Sequence, residues 1–260
     1  MPPTSPQSSS LTIPIAIIVG FALIAGAVYF SGSRSGVSSA TAPSPDARAA
    51  AADRQNAADR TGEIRPITED DYIRGNPNAP IMIVEYSDYD CPFCKTFHTT
   101  MKQIMDEYGV TGEVGWVYRQ YPIQQLHPNA PRISEAALCV GELGGNEAFW
   151  KFSDLVFENR GERAPTNVTR LPEYAVSAGV SEAEYQDCLE SGRQRERVEM
   201  SIEDGFTAGI DGTPNSFILI GNQQASIEGA QPYSVVKQII EDLLGQLEGR
   251  RPGTSTEPAS

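Results

Sequence analysis

Glu85-Tyr86-Ser87-Asp88-Tyr89-Asp90-Cys91-Pro92-Phe93-Cys94-Lys95-Thr96-Phe97-His98 is the stretch on which the reading of this chain turns. The four apolar residues before it, Ile81-Met82-Ile83-Val84, predict a buried strand. After it, Phe97, Met101, Ile104, Met105 and Tyr108 recur at helical spacing. Cys91 and Cys94 therefore stand where a strand gives way to a helix.

That position gives two thiols a use. A helix N-terminus presents unpaired N–H groups and the positive end of the macrodipole. A thiolate there is stabilised, and Cys-x-x-Cys sulfurs fall to pKa values of roughly 3.5–7.5. Two cysteines three apart in a first turn can also close a bridge, so the pair can cycle. Pro92 suits the first turn, where its missing N–H has no helical partner. Half of a zinc site and incidental thiols are the alternatives. Structural zinc needs a second ligand pair, whereas Cys139 and Cys188 stand far apart and the chain has 2 histidines. Redox chemistry is the better reading, and no metal is expected.

Working outward, the 260 residues allow one domain and some appendages. A net charge of −14 argues against a nucleic-acid partner, which needs a basic footprint. Residues 1–10 form a short N-terminal segment. Residues 11–30, Leu11 to Phe30, are an uncharged apolar run of about 20 residues, enough to cross a bilayer. An uncleaved anchor is favoured over a signal peptide, because the run is long and lacks a basic leader. Arg34 and Arg48 after the span weakly favour a cytoplasmic C-terminal side. The cysteines favour the opposite, an extracytoplasmic domain in the periplasm or at the cell surface. Residues 31–63, rich in Ser, Ala, Gly and Pro, read as a flexible linker. Residues 64–248 are the domain, and 249–260 a disordered tail.

Within the domain, Ile64-Arg65-Pro66-Ile67 predicts a short edge strand and Asp70 to Pro80 a turn-rich stretch. Val114 to Tyr121 predicts the next strand. Helices are expected near Pro131–Leu143, Asn146–Asn159, Leu171–Ala178, Ser181–Ser191 and Arg193–Ala208. Ser216–Ile220 and Gln224–Ile227 predict a hairpin about Gly221-Asn222, and Gln231–Leu247 a closing helix. The order β-α-β, helical block, β-β-α implies an α/β sheet with inserted helices.

With these residues in view, the domain resembles the DsbA-like branch of the thioredoxin superfamily. The resemblance rests on the Gly75-Asn76-Pro77-Asn78-Ala79-Pro80 lead-in, on Ile83 to His98, and on Gly212-Thr213-Pro214 before a hydrophobic strand. It implies a thioredoxin-like fold, a central mixed sheet flanked by helices, with a helical insert at about 129–197. Cys91 would be the attacking nucleophile and Cys94 the resolving thiol. Pro92-Phe93 would tune them and, with Thr213 and a cis Pro214, meet the substrate chain; an ordinary trans proline is the alternative. Glu85, a carboxylate in an apolar strand, would relay protons to Cys94 or, on the bland reading, face an edge. His98, on the same stripe as the two cysteines, is either an influence on Cys94 or simply packed, and His127 reads as structural. Cys139 and Cys188 would form a structural disulfide; two buried free thiols are the alternative.

The expected activity is extracytoplasmic oxidation of substrate thiols by dithiol–disulfide exchange. No cofactor is expected beyond the Cys91–Cys94 disulfide itself. The resemblance implies substrate polypeptides with thiols or disulfides as partners, and a quinone-coupled membrane thiol oxidase to recharge the site. A reductase or isomerase could use the same site, and a tethered metal- or peptide-binding module without turnover is the reading from another class.

Overall fold

The structure, a computed structural model, describes residues 62–250. The anchor at 11–30, most of the linker at 31–63 and nearly all of the tail lie outside the described residues. Five strands form one sheet: β1 (Tyr72–Gly75), β2 (Ile81–Ser87), β3 (Val114–Gln120), β4 (Asn215–Ile220) and β5 (Gln223–Glu228), in the spatial order β1-β3-β2-β4-β5. β2 runs parallel to β3 and antiparallel to β4, while β1 and β5 close the edges antiparallel to β3 and β4. Every residue of β2 and β3 is buried, as expected of central strands covered on both faces. This is a mixed, thioredoxin-like sheet with helices packed around it.

The helices are α1 (Pro92–Ile104), α2 (Ala130–Asn159), α3 (Leu171–Ser177), α4 (Glu182–Ser191), α5 (Arg195–Thr207) and α6 (Tyr233–Arg250). One π-helical turn, Met105–Gly109, extends α1. The stripe Phe97, Met101, Ile104, Met105 and Tyr108 is buried against Ile81, Ile83 and Trp116 in one core. On the other face, Met82, Val84, Tyr86, Val117 and Phe217 pack with Ala208 and Ile210. The alternation along β2 thus feeds two cores, one on each side.

The two helices expected at Pro131–Leu143 and Asn146–Asn159 form one run broken at Gly145, whose φ of 75° and ψ of −169° are non-helical. A side chain there would be strained, so the Gly144-Gly145 pair is where the chain bends. In β3, a Cβ on Gly115 would come within 2.7 Å of the Asn76 carbonyl, so glycine lets the lead-in loop approach the sheet.

The edge strand is displaced from its expected place. Residues Ile64 to Ile67 are not a strand; Tyr72–Gly75, inside the stretch read as turns, is. The reason lies in Arg119, whose side chain is buried. Its guanidinium takes the carbonyls of Arg65 and Pro66 as well as the carboxylates of Asp71 and Asp204. The Arg65 N–H donates to Asp204, so the backbone here is satisfied by side chains and not by a ladder. β1 is protected at its free edge, where the Asn146 amide both accepts from the Ile73 N–H and donates to the Ile73 carbonyl. At the other end α6 runs to Arg250, past the tail boundary placed at 249.

Candidate active site

β2 ends at Ser87, and four residues later Cys91 takes the N-cap position of α1, with φ −74° and ψ 125°. Pro92 is the first helical residue, which leaves Cys94 two residues further into the first turn. Asp88 fixes this corner. Its buried carboxylate accepts from the Asp90 N–H, the Ile123 N–H and His127 Nδ1, each at 2.8 Å. Its carbonyl accepts from the Cys91 N–H at 3.1 Å, and its own N–H donates to Cys94 Sγ at 3.5 Å. Asp90 in turn accepts from the Thr166 N–H at 2.7 Å and ties the loop after α2 to the site.

The two sulfurs are unequal. Cys94 is fully buried, whereas Cys91 is 5 % exposed beside Phe93, which is 64 % exposed. Both are free thiols. Cys91 Sγ lies 3.4 Å from the Thr213 carbonyl oxygen, and the Thr213–Pro214 peptide bond is cis. The Cys91 thiol is held down at about 6. The Cys94 thiol contributes most by hydrogen bonding to the Cys91 sulfur; burial opposes it, and the Cys94 and Phe93 N–H groups and the Thr213 side chain add to it. Burial, then the neighbouring Cys91 sulfur and Glu85, push the Cys94 thiol well above its ordinary value. One sulfur is therefore an anion near neutral pH and the other a thiol.

Glu85 sits on the central strand, fully buried, in register with Tyr118 on β3 and Ser216 on β4. Its Oε2 accepts from Trp116 Nε1 at 2.9 Å, while Oε1 has no protein partner. Burial raises its pKa to about 7; the nearby Ser87 hydroxyl and the Trp116 indole act in the opposite direction. The alternative of an edge-facing glutamate does not apply, since β2 is flanked on both sides.

The structure brings Cys91, Cys94, Glu85, Thr213 and Pro214 to one place, with Pro92 and Phe93 at its rim. His98 is directed elsewhere. Its Nε2 pairs with Asp154 Oδ1 at 2.7 Å, its Nδ1 has no partner, and its ring packs against Phe157 and Trp116. Cys139 on α2 and Cys188 on α4 are joined by a disulfide, with both residues fully buried. Sequence reasoning missed Ser87, Asp88, Trp116, Tyr118 and Gln120. Ser87 and Asp88 stand in the decisive stretch but obey no spacing rule. The β3 residues become visible only once β3 is known to pair in parallel with β2. Among the described residues no group of three His, Cys, Asp or Glu side chains is placed to hold a metal.

A family model described as Thioredoxin matches residues 67–242. The chain belongs to that family. Among solved structures of this fold, it is similar to BdbD from Bacillus subtilis, oxidised, with a TM-score of 0.61 and 21% identity, covering 70% of this chain and 96% of that one. It is also similar to alpha-DsbA1 from Wolbachia pipientis, with a TM-score of 0.61, 19% identity, and 71% and 96% covered. A third is DsbA2 from Pseudomonas aeruginosa, with a TM-score of 0.58, 21% identity, and 73% and 100% covered. The curated relatives are larger proteins. A Na(+)/H(+) antiporter NhaA 1 from Mycolicibacterium gilvum is 31% identical over 161 residues, 60% of this chain and 24% of the relative. A Na(+)/H(+) antiporter NhaA 3 from Salinispora tropica is 29% identical over 154 residues, 59% of this chain and 22% of the relative. This member of the thioredoxin family thus spans under a quarter of the length of those two proteins.

Proposed function

We propose that this chain is a thiol–disulfide oxidoreductase that forms disulfides in substrate polypeptides through Cys91 and Cys94. The observation that carries the reading is the inequality of the two sulfurs. Cys91 stands at a helix N-terminus, facing the Thr213 carbonyl, with its thiol held down to about 6, and Cys94 is sealed behind it. A stabilised Cys91 thiolate is both a ready nucleophile and a good leaving group, and it favours the reduced protein, which is what makes the disulfide form an oxidant.

In the oxidising direction a substrate thiolate attacks Cys91 Sγ of the disulfide, and the Cys91–Cys94 bond breaks with its electron pair on Cys94. Cys94 takes a proton from the Glu85 carboxyl. A second substrate thiolate then attacks the substrate sulfur, and Cys91 leaves as thiolate. The client gains a disulfide and the protein keeps a dithiol. The Thr213 backbone beside Pro214 would hold the extended client, and exposed Phe93 would meet its side chains.

The reading extends to the rest of the chain. Leu11 to Phe30 would anchor the protein with its domain outside the cytoplasm, and a quinone-coupled membrane thiol oxidase would recharge the dithiol. Among the described residues no helix is long and apolar enough to cross a membrane, so the anchor rests on the apolar run alone. Equilibration with glutathione tests the direction. A potential near −120 mV supports an oxidase, and one near −270 mV makes the protein a reductase. Absence of any turnover on dithiol peptides or insulin would overturn the enzyme.

A further inference from the structure

The sheet has two edges, and the chain treats them differently. A strand edge presents a row of unpaired N–H and carbonyl groups on which another strand can add. At β1 the Asn146 amide occupies the N–H and carbonyl of Ile73. At β5 no described side chain does the same. Gln223, Gln224, Ala225 and Ser226 are all exposed, and Glu228 is the strand's one charged residue. The strand holds no lysine and no proline, the residues that ordinarily keep a neighbour off an edge.

The ladder fixes which groups are free. The Gly229 N–H donates to the Pro214 carbonyl, and the register that pairs Asn215 with Glu228 sets Gly229 opposite Pro214. Bonded and non-bonded pairs alternate along an antiparallel ladder. Gln223, Ala225 and Ile227 therefore turn their backbone groups toward β4, and Gln224, Ser226 and Glu228 turn theirs outward. Among the described residues nothing takes the N–H or the carbonyl of Gln224 or Ser226. The Glu228 carbonyl accepts from the Gln231 amide and keeps a second lone pair. Ile227 points into the core, so the side chains of Gln224, Ser226 and Glu228 share the opposite, exposed face. The Gln224 amide gives one N–H to the Gly62 carbonyl and has a second to offer.

Charge decides what fits this edge. The chain carries a net charge of −14, so two copies repel one another on most lines of approach. The β5 edge is nearly neutral and complements itself. With a two-fold axis at Ser226, Ser226 lies opposite Ser226 of the second copy. Gln224 lies opposite Glu228 of the second copy, an amide N–H against a carboxylate, and no like charges meet.

We propose that this protein pairs with a second copy of itself, β5 on β5 and antiparallel, about a two-fold axis at Ser226. The outward groups of Gln224, Ser226 and Glu228 then form about six backbone hydrogen bonds, and the two sheets become one. The contact is a single short strand wide, smaller than the roughly 1,200–2,000 Å² of a standard interface, so the dimer depends on concentration. β2, which leads into Cys91, lies beyond β4 from the joint, and exchange per chain does not depend on the pairing.

Sedimentation of the full chain in mild detergent, over a range of concentrations, tests the pairing. The wild type is expected to pass from monomer to dimer as concentration rises. Ser226→Lys sets two ammonium groups against each other across the axis and should raise the dissociation constant at least about tenfold. Its urea midpoint should match wild type, which shows that it is folded. A single added thiol on a Cys91→Ser/Cys94→Ser chain reads the register. Ser226→Cys should cross-link, because paired Cα atoms stand about 5.5 Å apart, within reach of a disulfide. Gln223→Cys should not, since its two copies fall about 20 Å apart, six residues at roughly 3.3 Å each. A monomer at every concentration would overturn the proposal, as would equal cross-linking at both positions. So would a dimer that Ser226→Lys leaves intact, the result expected if residues 11–30 join the copies. A Ser226 N–H slow to exchange in the dilute monomer would overturn it as well, by showing that another segment of the same chain lies on the edge.

Discussion

The molecule holds two cysteine pairs, and they have opposite chemistry. Cys91 and Cys94 share the first turn of α1, beside the Thr213 carbonyl and above Glu85. Cys139 and Cys188 come from two different helices, 49 residues apart, and are bonded within the hydrophobic core. The first pair has the N–H groups of a helix start to stabilise an anion, and Cys91 keeps slight exposure beside the exposed Phe93; both members of the second pair are fully buried. The same side chain is a reagent in one place and a staple in the other, and the surroundings of the sulfur decide which.

The largest expected contrast comes from disabling each pair in turn. Cys91→Ser should lose exchange altogether, a fall of at least about a thousandfold in dithiol-peptide oxidation. A Cys139→Ser/Cys188→Ser protein should keep most of its exchange rate per folded molecule. Loss of turnover in the second protein, measured where it is shown to be folded, would break the comparison.

Stability should report the reverse ranking. The Cys139–Cys188 bond closes a long loop, so its removal should lower unfolding free energy by about 4 kcal/mol in the chain-entropy picture, seen as a lower denaturant midpoint. In the reduced protein near neutral pH, where little of the Cys91 thiolate's contribution is developed, Cys91→Ser should change the midpoint less.

The pH dependence of stability sharpens the comparison further. Glu85 titrates near 4.5 when unfolded and at about 7 when folded. Between those values the folded protein holds a proton that the unfolded chain has lost, so its contribution falls as pH rises through that window. Cys91 goes from 9.0 down to about 6, so its contribution is full above 9.0 and is lost as pH falls through 6. The reduced protein should therefore show a decline from pH 4.5 toward 7 that Glu85→Gln removes, and an alkaline gain that Cys91→Ser removes. The oxidised protein should lack the alkaline gain. Urea midpoints at intervals of pH measure both limbs.

The smallest effect is expected at Thr213. Thr213→Ala keeps the carbonyl that faces Cys91 and removes only a lesser contribution to the thiolate. It should slow exchange by less than about tenfold, the size of a single weak hydrogen bond. A thousandfold loss would mean that the side chain, and not the backbone, holds the client.

Much of this arrangement was legible in the chain. The apolar run at Ile81, the stripe from Phe97 to Tyr108 and the Gly144-Gly145 break follow local rules of periodicity and backbone freedom, and they fall where expected. The edge strand did not, because Arg119 reaches back some fifty residues to satisfy the Arg65 and Pro66 carbonyls, and no local pattern announces that. The residues that surround Glu85 were hidden for the same reason. Tyr118 and Gln120 read simply as residues of a strand until the parallel register places them beside Glu85 and Ser87.

The sequence by itself determined that two thiols would stand at a strand-to-helix junction, since strand, helix start and Cys-x-x-Cys spacing are all properties of near neighbours. Only the tertiary structure decided which of them would be sealed and which would face the Thr213 carbonyl. Burial and the field at a sulfur depend on groups brought from β3, β4 and the Thr213 loop, and those distances are set by packing.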